Sequence, residues 1–532
     1  MSVDAALAQG MPMKRALLLC ALLASCSLRD PHASALSCAN SAQCSSSDVC
    51  FLGECRPPAA NLSIVRVEVR PPIASQFGLK EQQLDLRQRV QNDFTLAAAL
   101  AAAGTVTQEQ DGAPAAPVPG AIVTMIDHAP VIPDRVEQIV STTDPSGKYS
   151  ARVPQGLWDV VVRMPPPLPP IRAGLLDTAS PAVDFLLPRT SSFPVLEGGL
   201  TFDGGLPLEG ASVTALDSQG AAISSPVVSQ ADGGYALYLP PDAGQPALQV
   251  GPTVAADGGV SPSATFPTYH PLAYGAMIDL PLPPVATLSG RVLDTLDNPV
   301  PSALVYVRTV GMSWSLARSV VTDAAGAYSV PLREGSYVVQ AAPPPDTNAP
   351  ALSAQVPVSV PTAGPVDLIC PAKVRRFGQV LGPDGRPVAA NFQIVATRLA
   401  DGLVTNRTVS ISTDANGNYR IVADAGRWRF ELVPPSDARL PRKIVQVDLD
   451  GSDPGESALP TVQISTPLKV WGTVKGTAPG VADSPIAGAL VSFFALDASG
   501  HSVFLGSAIT QTQSSSVGQY EVTLPDVAEP GI

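Results

Sequence analysis

Hydrophobic and polar residues alternate in short runs along most of this chain, and the alternation is clearest between residues 288 and 369. Residues 288–293 (LSGRVL) and 303–308 (ALVYVR) repeat with the two-residue period of a strand that buries one face. The turn-rich stretch 294–299 (DTLDNP) joins them. A short strand ending in Thr322 and Asp323 leads through residues 324–326 (AAG) into 328–332 (YSVPL), so Asp and Gly supply hairpin chemistry between two strands. Residues 335–340 (GSYVVQ), 354–359 (AQVPVS) and 366–369 (VDLI) follow. This predicts about seven strands in about 90 residues, the content of a Greek-key sandwich.

The same pattern recurs. Residues 117–123 (PVPGAIV), 207–213 (PLEGASV), 299–305 (PVPSALV) and 485–491 (PIAGALV) are copies of one phrase. A turn closing on tyrosine follows each by about 30 residues, as in 143–149 (TDPSGKY) and 322–328 (TDAAGAY), and the pair returns about every 90 residues. The pattern predicts an all-β array of about five Greek-key, Ig-like sandwiches forming a rod, with boundaries at 95–190, 191–284, 285–371, 372–466 and 467–532. The second unit carries Ser229 and Gln230 in place of Thr-Asp, and the fourth carries Asn391 and Gln393 where Ala and Val are expected. The fifth keeps 472–474 (GTV) and 518–520 (GQY) and then ends where the others begin their Gly-x-aromatic strand, so it reads as a truncated sandwich with an open edge. The alanine-rich stretch 95–103 has helical propensity, but its register leads into the first Gly-x-Val strand and favours a strand.

Composition agrees with this picture. Charged residues make up 15% of the 532, with 56 Pro and 43 Gly, which suits strands and turns better than long salt-bridged helices. A net charge of −13 with no basic stripe excludes a nucleic-acid partner. Mean hydropathy is +0.19, yet beyond residue 26 the apolar runs are short and interrupted, as sandwich cores require.

The phrases Gly290-x-Val292, Pro299–Val305, Thr322–Tyr328 and Gly335-x-Tyr337 together resemble the carboxypeptidase regulatory-like domain, a transthyretin-like sandwich module. The first unit repeats them with Gly104, Val106, Gly156 and Trp158, and the fourth with Gly378, Val380, Gly426 and Trp428. The resemblance covers most of residues 95–532 and implies a non-catalytic module, which in some proteins accompanies a zinc carboxypeptidase.

At the N-terminus, Lys14 and Arg15 precede the apolar run 16–23 (ALLLCALL), too short to span a bilayer and arranged as an export signal. Residues 1–25 are the expected signal peptide, with Met11 or Met13 the expected start. Residues 23–26 (LASC) resemble the bacterial lipobox, which implies cleavage before Cys26, acylation of its thiol and a lipid anchor in the membrane. Ser27 is not the Asp that retains lipoproteins at the inner membrane, so the expected address is the outer membrane or cell surface. Cys38, Cys44, Cys50 and Cys55 lie within the 26–60 segment and predict two disulfides in any of three connectivities. Their spacing lacks a Cys-x2-Cys zinc knuckle. The cluster resembles the cysteine-rich segments behind the anchors of myxobacterial lipoproteins. Residues 61–94 are left as a lead-in.

No catalytic set is evident. Of His32, His128, His270 and His501, none forms a His-Glu-x-x-His pair, and neither a G-x-S-x-G elbow nor a phosphate-binding glycine loop occurs. The chain is expected to be no enzyme and to hold no metal or cofactor. Asp414, Asn416 and Asn418 place oxygens on alternate positions, but turn stabilisation accounts for all copies of that turn better than calcium does. Cys370 aligns with Leu187 and Leu282 and is expected in the core. Tyr149, Tyr235, Tyr328, Tyr419 and Tyr520, with Trp158, Trp428 and Trp471, are likewise expected to be packing residues. Trp314, in the excursion 311–315 (GMSWS), is the candidate exposed ligand contact. The expected role is a structural spacer or adhesive. Alternatives are a carbohydrate-binding module, or a non-catalytic subunit of a separately encoded envelope enzyme, with a glycan or an envelope protein as partner.

Overall fold

The computed structural model describes residues 64–253 and 278–525, apart from gaps of one to three loop positions, together with the backbone of 49–51, 54–56 and 268–269. Among these residues the regular structure is β-strand and one short 3-10 turn at Thr190–Ser192.

The third unit shows how the alternation becomes a sandwich. The strand Val285–Asp294 lies between Ala327–Arg333, antiparallel with Gly290 opposite Tyr328, and Leu368–Cys370, parallel with Val292 opposite Leu368. Its facing sheet runs Ala317–Val321, Leu304–Thr309, Gly335–Ala342, Val356–Val360. Leu288 and Val292 from one sheet and Val305, Val307, Tyr337 and Val339 from the other are buried in one core. The first unit repeats this with Leu100–Gln110 between Lys148–Val153 and Phe185–Leu187, and the fourth with Val374–Leu381 at the centre. The alanine-rich stretch is strand, at Phe94–Ala97, paired with Pro467–Ala478, and at Leu100–Gln110, paired on both sides, because strand pairing outweighs the helical propensity of the alanines.

Two expectations are corrected. The fifth unit has its remaining strands, and the segment read as a lead-in supplies them. Ile64–Arg70 pairs antiparallel with Leu490–Leu496, Lys80–Asp85 lies outside it, and Phe94–Ala97 pairs parallel with Pro467–Ala478. The sheet order Lys80–Asp85, Ile64–Arg70, Leu490–Leu496, Ser502–Ile509 is that of the third unit. Val65, Val67, Val69, Phe94 and Leu96 share a core with Val470, Val474, Phe493, Tyr520 and Leu524. Burial of these side chains, each worth about 1.5–3 kcal/mol, is what recruits the segment. The expected start of the first sandwich at residue 95 also moves, because residues 95–97 belong to this split unit.

The second correction concerns the rod. Successive units touch: Ser225 donates to the Leu168 carbonyl at 2.6 Å, Thr268–Tyr269 pairs with Trp314–Ser315, and Arg407 donates to the Pro343 carbonyl at 2.9 Å. Arg442 lies over the Phe504 ring at 4.9 Å, and Arg135 reaches Glu68 at 3.3 Å. Because the split unit touches both the fourth and the first, the contacts form a closed circuit.

Candidate functional site

The polar side chains that recur in the repeat are turned toward their own backbone. Thr322 Oγ1 donates to the Val300 carbonyl at 2.8 Å and accepts from the Ala303 N–H at 2.9 Å, tying the tyrosine hairpin to the proline corner. Thr143, Thr413 and Thr510 do the same, and Ser229 serves in the second unit, accepting from Ala211 N–H and donating to the Leu208 carbonyl. A buried hydroxyl with both a donor and an acceptor partner avoids the penalty of an unpaired polar group. The change from Thr-Asp to Ser-Gln in that unit therefore keeps the bond that matters.

The tyrosines are buried. Tyr149, Tyr235 and Tyr328 donate to the carbonyls of Val183, Ile278 and Val366 at 2.7–2.8 Å. Burial pushes the Tyr149 hydroxyl up to about 12 and raises Tyr235 and Tyr328 as well. The glycine opposite each tyrosine leaves room for the last strand: a Cβ on Gly290 would lie 1.9 Å from the Val366 carbonyl oxygen. The aspartate that follows that carbonyl caps the central strand, with Asp184 accepting from Thr105 N–H and Oγ1 and Asp367 from Arg291 N–H. In the fourth unit Tyr419 is buried with no partner for its hydroxyl among the described residues.

The split unit reproduces this set across the chain. Tyr520 donates to the Asn92 carbonyl at 2.8 Å, Asp93 accepts from Thr473 N–H and Oγ1, and a Cβ on Gly472 would lie 1.8 Å from the Asn92 carbonyl oxygen. Residues 92–95 (NDFT) thus stand where 183–186 (VDFL) and 366–369 (VDLI) stand in their own units. Sequence reasoning missed this. The signal, Asp before a large apolar residue, was present but ahead of the first unit.

The segment is also fastened to the first unit. Glu68, 1% exposed, is flanked by Arg70 at 3.4 Å and Arg135 at 3.3 Å, and Arg70 reaches Glu137 at 3.0 Å. Arg66 donates to the Val131 carbonyl, and Glu81 accepts from the N–H groups of Val131 and Ile132. Burial raises the Glu81 carboxyl, against the pull of those two bonds. Here an open groove of about 480 Å³ is lined in part by Lys80, Glu81, Thr95, Asp127, Glu137 and Trp158.

The structure separates the other candidates. Trp314 is a correction: it is 5% exposed, packs edge-on against Tyr337 at 6.3 Å, and its strand extends the sheet of the second unit. The excursion that suggested a free loop is held by an edge pairing that lies in another repeat. Trp471 is the opposite correction, 43% exposed rather than packed, because it precedes Gly472 and points outward from the strand whose inward positions are Val470, Gly472 and Val474. Phe377, before Gly378, is 42% exposed for the same reason. Trp158 and Trp428 are buried, and each indole N–H donates to the carbonyl four residues earlier. Cys370 is fully buried, and burial pushes its thiol up to about 12. Asp414 accepts from the N–H groups of Asn416 and Asn418, as Asp323 does from Ala325 and Ala327. These bonds, led by the one from Asn418, lower the Asp414 carboxyl. Among the described residues no group of His, Cys, Asp and Glu could hold a metal ion, and no helix is long and apolar enough to cross a membrane. Cys26, Cys38 and Cys44 lie outside the described residues, as do the side chains of Cys50 and Cys55.

These features define an all-β protein built from repeated sandwich modules. Residues 287–366 match the carboxypeptidase regulatory-like domain, the family that the motifs of the third unit resemble. A search of the curated proteins finds no match to the chain. Among solved structures, the chain is similar to a streptococcal ancillary pilin, with 10% identity over 51% of this chain and 99% of that one and a TM-score of 0.23. It is also similar to the Bacillus anthracis TIE protein, with 13% identity over 68% and 73% and a TM-score of 0.16. The Bacillus cereus major pilin subunit BcpA is a third, with 10% identity over 51% and 99% and a TM-score of 0.15. At these scores the likeness carries no functional meaning.

Proposed function

We propose that this chain is a non-catalytic, exported cell-envelope lipoprotein, anchored through Cys26 and carrying its sandwiches as a structural spacer or adhesive module. The observation that supports this reading is the use made of the recurring polar residues. The hydroxyls of Thr143, Ser229, Thr322, Thr413 and Thr510 and the carboxylates of Asp184, Asp279 and Asp367 are all spent on the backbone of their own sandwich. A catalytic set needs side chains that converge on a common open point, whereas these hold strands in register. Five sandwiches is the count we infer, the fifth assembled from 64–97 and 467–525.

Two measurements test the reading. Metabolic labelling with palmitate should mark the wild-type protein and not Cys26→Ala, and the labelled protein should fractionate with the envelope. Unlabelled, soluble protein would overturn the anchor. Hydrolytic turnover of peptide, ester or glycoside substrates by the purified chain would overturn the non-catalytic role. Trp314, one of the two grounds for a glycan-binding alternative, is 5% exposed, which leaves that alternative only the sandwich shape.

A further inference from the structure

The split sandwich joins two segments that are far apart in the chain. The Tyr520–Asn92 bond spans 428 residues and the Thr473–Asp93 bonds span 380. All strand pairings between the halves follow the register of a contiguous unit: Val67 opposite Phe493, Val69 opposite Val491, Phe94 beside Val474. Each half is also fixed to its own neighbour. Segment 64–97 is bound to the first unit through Arg66, Arg70 and Glu81. The 467–525 half packs on the fourth unit, where Ile444 enters its core and Arg442 covers Phe504. The donor strands are thus presented from one end of the array and the acceptor half from the other. Nothing in the register requires the two ends to belong to one molecule.

We propose that this sandwich is an exchangeable joint, in which segment 64–97 of one copy completes the 467–525 half of a second copy and links copies head to tail. The closed circuit is the intramolecular form of the same joint. It prevails while the effective concentration of the chain's own donor exceeds the concentration of other copies, and linked copies gain as the protein is concentrated. The charge on Glu68 does not oppose exchange, because Arg70 and Arg135, which flank it, travel with the donor. Arg135 then stacks on Phe494 of whichever acceptor is filled, 4.8 Å from its ring centre. The joint extends the reading of the chain as a structural array. Its failure would leave that reading standing, since the readout is mass and not turnover or labelling.

The test uses two versions of the full chain. Phe94→Asp spoils the donor, since Phe94 is 1% exposed in the shared core. Gly472→Val spoils the acceptor, since its Cβ would meet the Asn92 carbonyl. Neither closes on itself or self-associates, but the donor of the second fits the acceptor of the first. Light scattering should give monomer mass for each alone and about twice that mass for the mixture. A second measurement does not depend on destabilised variants. Thr95 and Lys475 are exposed register partners, so chains carrying Thr95→Cys and chains carrying Lys475→Cys are unfolded together and refolded at high concentration. A disulfide-linked dimer that requires both substitutions can arise only between copies. Either signal supports exchange. A monomeric mixture together with no such dimer overturns it, as does association of either spoiled version alone to the same extent as the mixture.

Discussion

The third unit and the split unit are the same sandwich made in two ways. In the third, the tyrosine hydroxyl reaches a carbonyl 38 residues away, and in the split unit one 428 residues away, at 2.7 and 2.8 Å. A Cβ on the glycine under the last strand would lie 1.9 Å from the carbonyl oxygen in one and 1.8 Å in the other. The aspartate that caps the central strand sits at 2.8 and 2.9 Å from the N–H it holds. Local geometry is therefore indifferent to connectivity. What differs is the cost of bringing the halves together. For a flexible chain, the three to four doublings from 38 to 428 residues would cost about 2 kcal/mol, at about 0.6 kcal/mol each. Folded units lie between, so the geometry of the circuit sets the cost instead, and the split unit is the place where the array can open.

The largest expected difference comes from the apolar residue of the last strand. Leu368→Ala should cost about 2–5 kcal/mol and Phe94→Ala about 3–5 kcal/mol. The first loss should lower the melting of the third unit together with the second, with which it shares a core. The second should instead release 64–97, read as new protease cleavage between residues 70 and 97 while the remaining units stay intact. Equal protease resistance in the two variants would break the comparison.

Next come the glycines. Gly290→Ala presses the Val366 carbonyl and Gly472→Ala the equivalent Asn92 carbonyl, and overpacking of this kind costs up to about 3 kcal/mol. The third unit should absorb the strain with a lower melting temperature, whereas the split unit should respond by exchanging its amide protons faster over 64–97. Hydrogen exchange followed by mass spectrometry separates the two outcomes.

A smaller effect is expected from the hydroxyl clip. Thr322→Val and Thr510→Val each leave a buried N–H and a buried carbonyl without a partner, at about 1–3 kcal/mol. Both clips lie within one contiguous stretch of chain, so these two losses should be alike in denaturant titrations. A clear difference would show that the split unit is weakened in places away from the seam.

The smallest effect is expected from the exposed caps. Asp93→Ala and Asp367→Ala remove solvent-accessible carboxylates, worth about 1 kcal/mol or less each. The shift should be measurable only as faster exchange at Thr473 and Arg291.

Much of this architecture was legible in the residues. Alternation around Gly290 and Val305 predicted the two sheets of the third unit, and alignment of copies placed Cys370 beside Leu187 and Leu282 in core positions. The tyrosines read as packing residues, and four of the five hydroxyls find carbonyls. The misreadings have two causes: strand partners distant in sequence for Trp314 and the lead-in, and the pleat phase of an adjacent residue for Trp471. Trp314 was read as a free loop residue because its strand partner, Thr268–Tyr269, belongs to the preceding repeat. Trp471 was read as core because its position was not referred to the pleat of Gly472, one residue on. Residues 61–94 read as a lead-in, and 95–97 as the start of the first sandwich, because their match to the second half of a repeat precedes its first half by the length of the array.

Period, turn chemistry and pleat phase are properties of residues close together along the chain, and they determined the sandwich, its hydroxyl clips and its buried tyrosines wherever the phrases occur. Which half completes which is a different kind of property. Strand edges and apolar faces are satisfied by any segment of the right register, near or far, because backbone hydrogen bonds and burial carry no record of sequence distance. Only the folded arrangement, with the first and fourth units holding the two halves face to face, assigns residues 64–97 to the sandwich at 467–525.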